Sequence, residues 1–131
     1  MSQEKGVHIV IVDDHALMRT GIRLMLENYA DIHIVGEAGD GFEAISVVSR
    51  LRPHVVLMDI NMPRMNGIEA TAEITSKYPD TIIIGLSVNA NVSYRELMKQ
   101  AGAVRLILKD DAPEQLYQAI HEAVTIQDTS R

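Results

Sequence analysis

The chain has no cysteine, no tryptophan, a single phenylalanine (Phe42) and only four prolines among its 131 residues. Without cysteine there is neither a disulfide framework nor a thiolate site for zinc, which fits a reducing, cytoplasmic setting. The shortage of large aromatics removes the platform on which single-stranded nucleic acid stacks. Positive charge is also scarce: 12 bases stand against 18 acids, a formal charge of -6. Phosphate contacts need clustered Lys and Arg, so no nucleic acid is expected to bind this domain. No apolar run approaches the roughly 20 residues of a membrane span. Met1 to Lys5 are polar and offer no signal-peptide core. Neither membrane insertion nor secretion is expected.

What is present is ordinary globular composition, 47% hydrophobic and 23% charged. The length predicts one domain over residues 1–131, with a core over about 7–126 and short polar tails. Apolar runs recur at 7–12, 32–35, 55–58, 82–86 and 106–108. Their Val and Ile content favours strands, and continuous apolar character suits strands covered on both faces. Helical periodicity fills the gaps: Met18, Ile22, Met25, Leu26 and Tyr29, then 41–51, 67–78, 91–101, and Leu116, Ala119, Ile120 and Ala123. Asn66 with Glu69, and Asp111 with Glu114 and Pro113, look like helix starts, and Gly102 like a C-cap. Arg52-Pro53 and Tyr78-Pro79 mark helix exits, and 127–131 reads as a tail. Five βα units predict an open, doubly wound parallel α/β sheet in the flavodoxin-like order 2-1-3-4-5.

Ligands of such sheets bind beyond the carboxyl ends of the strands, at the switch point between strands one and three. Asp13 and Asp14 follow the first strand, Asp59 the third, Ser87 the fourth and Lys109 the fifth. Each alone has a bland reading as a cap, turn or surface charge. Together they bring three carboxylates, a hydroxyl and an ammonium to one sheet edge. Neighbouring carboxylates resist joint ionisation unless a cation intervenes, and an all-oxygen set suits Mg²⁺. A Lys beside them can hold an anion, and an Asp can become an aspartyl phosphate.

Asp13-Asp14-His15, the run from Val56 through Asp59 to Pro63, Met65-Asn66-Gly67, Leu86-Ser87 and Leu108-Lys109-Asp110 closely resemble the receiver domain of two-component response regulators. The resemblance spans about Val7 to Ile126. It implies that Asp59 accepts a phosphoryl group from a phosphohistidine of a histidine kinase or His-phosphotransfer domain. It implies Mg²⁺ on Asp14, Asp59, the Asn61 backbone carbonyl and, mainly through water, Asp13. Lys109 would pair with the acceptor and then with a phosphoryl oxygen, while Ser87 would swing toward the phosphoryl group. Such a module promotes only its own phosphorylation and dephosphorylation, and a homodimer is compatible with it.

Two departures bear on signalling. The aromatic often found three positions before the Lys is Leu106, preceded by Arg105, and Asp110 and Asp111 stand where Pro is common. Residues 31–38 and 52–59 resemble regulators that carry a helix-turn-helix effector. Residues 85–91 resemble receivers of hybrid sensor kinases, which is the origin favoured here. Three rivals are weaker. A haloacid-dehalogenase-like phosphatase needs Asp-x-Asp after the first strand, a flavin carrier needs a phosphate loop where two acids stand, and a docking-only receiver would not need the full acidic set.

Overall fold

In the computed structural model, residues 6–88 and 92–130 are described, those at 111–114 and 127–130 without their side chains. The chain alternates β1 (Val7–Val12), α1 (Ala16–Leu26), β2 (Ile32–Ala38), α2 (Gly41–Leu51), β3 (Val55–Asp59), α3 (Gly67–Lys77), β4 (Ile82–Ser87), α4 (Val92–Ala101), β5 (Arg105–Leu108), a 3-10 turn (Lys109–Asp111) and α5 (Ala112–Ser130). The strands pair in parallel in the order β2-β1-β3-β4-β5, as expected from the sequence.

The continuous apolar runs are explained by the two faces they fill. Side chains alternate across a strand, so Val10 and Val12 of β1 join Val47, Ala70, Ile74 and Met98 beneath α2, α3 and α4. Ile9 and Ile11 join Ile22, Leu26, Leu116 and Ile120 beneath α1 and α5. β3 is buried along its whole length because it lies at the centre of the sheet.

Local signals set the helix ends. Asn66 accepts the Glu69 amide and Glu69 reaches back to the Asn66 amide, a reciprocal capping box that starts α3. Asp40 caps α2 by accepting the Glu43 amide. Arg52 ends α2 in a left-handed conformation, and Gly102 (φ 117) accepts the same role after α4. The Asp111, Pro113 and Glu114 start signal and Asn91 lie outside the described side chains or residues.

Three sequence expectations need correction. α5 continues through Ser130 rather than releasing 127–131 as a tail, for no Gly or Pro interrupts that stretch. Tyr29 lies beyond the end of α1, where its ring stacks on Tyr117 of α5. β2 extends past the apolar run through Gly36, Glu37 and Ala38. Glu37 is tolerated in the strand because Arg19 and Arg23 of α1 both donate to its carboxylate.

Candidate functional site

Parallel pairing delivers the end of every strand to the same edge, and the register fixes how deep each polar group sits. Val12 pairs with Met58, so Asp13 leaves β1 level with Asp59 at the end of β3. Asp59 pairs with Leu86, and Ser87 with Leu108, so Ser87 and Lys109 follow one step later on β4 and after β5. Asp13, Asp59 and Ser87 are buried, at 0%, 4% and 1% exposure.

The Lys109 ammonium bridges two of the acids. Its Nζ donates to Asp13 Oδ2 at 2.8 Å and lies 3.2 Å from Asp59 Oδ1. The other Asp13 oxygen accepts the His15 amide at 2.8 Å. His15, not either acid, occupies the N-cap position of α1. The Asp13 carbonyl accepts from Arg19. Asp14 is a quarter exposed, yet its Oδ1 is buried without a hydrogen bond, though His15 Nδ1 lies 3.1 Å away.

Burial, together with the Asp13 charge, pushes the Asp59 carboxyl up to about 6, against the opposing pull of Lys109. Burial would lower the Lys109 ammonium, but its bond to Asp13 and the charges of Asp59 and Asp13 raise it overall. The edge thus holds more negative charge than its one ammonium balances. Asp13, Asp14 and His15 offer ligand atoms within 4.8 Å of one another. The buried, undonated Asp14 oxygen and the hard-oxygen character of the acids fit Mg²⁺.

The carboxyl end of β3 is held closely. The Ile60 amide donates to the Leu86 carbonyl at 3.3 Å, and the Gly67 amide to the Ile60 carbonyl at 2.8 Å. A Cβ on Gly67 would lie 2.1 Å from the Asp59 carbonyl oxygen, so only glycine lets α3 start this close to the strand end. Asn61 follows in the exposed loop beyond.

A scan against family models matches residues 9–121 to the response regulator receiver domain. The chain belongs to that family. It is 37% identical over 117 residues to the transcriptional regulatory protein DegU of Brevibacillus brevis, covering 89% of this chain and 50% of that one. It is 35% identical over 123 residues to the nitrate/nitrite response regulator NarL of Escherichia coli K12, covering 94% and 57%. The crystal structure of the Thermotoga maritima CheB response regulator domain superposes with a TM-score of 0.86 at 30% identity, covering 92% of this receiver and 97% of that chain. The receiver spans about half the length of the curated relatives it matches.

The structure places Asp13, Asp14, Asp59, Ser87 and Lys109 at the strand ends where the sequence pattern put them. That pattern misses Arg19, which lies one turn into α1 and reads as a surface base. His15, which entered the sequence reading only as part of the Asp13-Asp14-His15 motif, turns its ring to both Asp13 and Asp14. Leu106 is buried at 7% exposure and forms part of a groove of about 560 Å³ between α4 and β5, away from the acids.

Proposed function

We propose that this receiver is a phosphoacceptor whose Asp59 takes a phosphoryl group from the phosphohistidine of a histidine kinase or His-phosphotransfer domain. The observation that carries the reading is the buried Asp59 carboxylate beside Lys109 and Asp13, at the end of the central strand. An Asp59 oxygen attacks phosphorus, the P–N bond breaks, and its electron pair returns to the imidazole. Hydrolysis reverses the modification: water attacks phosphorus, inorganic phosphate leaves, and the carboxylate is regenerated. No other substrate is turned over, so the domain acts on itself alone.

Asp14, Asp59 and the Asn61 backbone carbonyl would hold Mg²⁺, with Asp13 acting mainly through water. Bound there, Mg²⁺ neutralises the clustered acids and the phosphoryl oxygens. Lys109 anchors the unphosphorylated carboxylate and then a phosphoryl oxygen. Ser87 turns toward the phosphoryl group, and the two movements shift a two-state equilibrium toward the signalling form. With Leu106 already buried, the shift passes outward without an aromatic partner for Ser87.

Residues 1–131 act as one unit, with the core at about 7–126, in the cytoplasm. The names of the relatives favour a parent regulator with a DNA-binding effector, and give no support to a hybrid-kinase origin. Nucleic-acid binding then belongs to that effector, and pairing of two receivers is a further part of the proposal. No described helix is long and apolar enough to cross a membrane.

The test is intact mass after incubation with a small-molecule phosphodonor, with Mg²⁺ or with EDTA. One phosphoryl group is expected on the wild type with Mg²⁺, and none on Asp59→Asn. Equal labelling of both proteins would refute Asp59 as acceptor. A folded wild type that binds Mg²⁺ but gains no mass would favour the docking-only alternative.

A further inference from the structure

The loop joining β3 to α3, residues 60–66, carries Asn61, and its course is strained at one position. Arg64 has a φ of 68, a left-handed conformation that disfavours a side chain of this size. Its backbone is held there while the side chain stays 71% exposed, so packing does not account for it. The guanidinium does have a partner. Arg64 Nη2 donates to Asp40 Oδ2, and the Asp40 side chain is only 8% exposed.

Asp40 serves two segments at once. Its Oδ1 accepts the Glu43 amide at 2.8 Å and so caps α2, while its Oδ2 takes Arg64. The Glu43 amide and the Arg64 charge hold this carboxyl below its ordinary range, despite burial. The next residue along makes a second tie: the Gly41 amide donates to the Met65 carbonyl at 3.2 Å. A Cβ on Gly41 would come within 2.6 Å of the Met65 side chain, so the two segments touch with no space to spare. Residues 40 and 41 therefore grip residues 64 and 65. At the other end the loop is tied by Ile60, through its amide to Leu86 and its carbonyl to Gly67. Asn61 lies on the span between these two fixed points.

We propose that the Asp40–Arg64 pair is a positioning device for the Mg²⁺ site, fixing the loop so that the Asn61 carbonyl stays in reach of the ion. The strain at Arg64 persists because the guanidinium must arrive at Asp40 from that backbone position. This rests on the reading of Asp13, Asp14, Asp59 and Asn61 as the Mg²⁺ site. Partners outside the ligand set commonly tune metal affinity by about tenfold or more.

Calorimetric titration of Mg²⁺, paired with thermal melts in EDTA, separates positioning from stability. Arg64→Gly removes the guanidinium and also the strain. Its melting temperature is expected to stay level or rise, while Mg²⁺ affinity falls about tenfold. Asp40→Asn leaves the loop sequence intact, and its amide oxygen can still cap α2. It is expected to show the same loss of affinity. The double variant should bind no more weakly than either single one, because one interaction is removed in all three. Wild-type affinity in Arg64→Gly, or losses that add in the double variant, would overturn the proposal. A wild type that binds no Mg²⁺ would overturn the proposal together with the site reading beneath it, and is told apart because no substitution is involved.

Discussion

Asp59 and Asp31 are the same residue type in one small domain, yet their carboxyls are displaced in opposite directions. Asp59, at the carboxyl end of the sheet, is pushed up to about 6 by burial and by Asp13. Asp31, in the turn before β2 at the other end, is lowered by its bond to His121, 2.7 Å away, with further help from the Tyr117 hydroxyl and against the effect of burial. One end of the molecule concentrates like charge and leaves an Asp14 oxygen undonated. The other supplies its acid with donors and seats it beside the Tyr29–Tyr117 stack. Stability alone explains the second arrangement. The first costs stability, which is common where ionisable groups are gathered for function rather than for folding.

The largest effect is expected where the Asp59 end of the sheet is packed most tightly. Gly67→Ala places a methyl 2.1 Å from the Asp59 carbonyl oxygen, and is expected to cost about 3 kcal/mol or more, since backbone must move. Denaturant unfolding checks the loss, and phosphorylation of any folded fraction should fall with it.

Asp59→Asn should do the reverse in EDTA. The folded state holds the Asp59 proton more tightly than the unfolded chain, because its carboxyl is raised from 3.8 to about 6. The ionised carboxylate therefore costs stability that sets in above pH 4 and is complete above pH 6. Removing it should stabilise the protein by about 3 kcal/mol at pH 7.5, a net figure in which the attraction to Lys109 is already included. The gain should vanish toward pH 4. A variant less stable than the wild type at pH 7.5 would mean that Lys109 already balances the cluster.

Asp31→Asn should give the smallest effect, with opposite sign. The lowered Asp31 carboxyl contributes stability above its ordinary value, and that contribution is lost as pH falls through the folded value. Because Asp31 is 42% exposed and His121 51%, solvent screening limits the loss to about 0.5 kcal/mol near neutral pH. Melts of wild type and variant should converge in acid.

The two ends also differ in how far the sequence discloses them. Strand order and strand-end acids were legible because Val55 to Met58 can be buried on both faces only in a covered parallel sheet, and because such sheets place ligands at one edge. Asn66 and Glu69 announced the start of α3 through side chains only three residues apart. The Arg19 contact with Asp13 and the Arg64 contact with Asp40 were not legible. Each joins elements whose approach depends on helix packing and loop course, which local pattern does not encode. The Asp31, Tyr117 and His121 cluster escaped for the same reason, since it joins residues 86 and 90 positions apart. Glu37 hid the end of β2 because a charge argues against a strand until its two arginine partners are seen.

Asp59 as the residue that receives the phosphoryl group can be tested directly. An acyl phosphate on aspartate is reduced by borohydride to homoserine, which marks the position permanently. Reduction after Mg²⁺-dependent phosphorylation, followed by peptide sequencing, should give homoserine at position 59 and nowhere else. Homoserine at position 13 or 14 with Asp59 intact, or a stable phosphate ester on a hydroxyl such as Ser87, would contradict it.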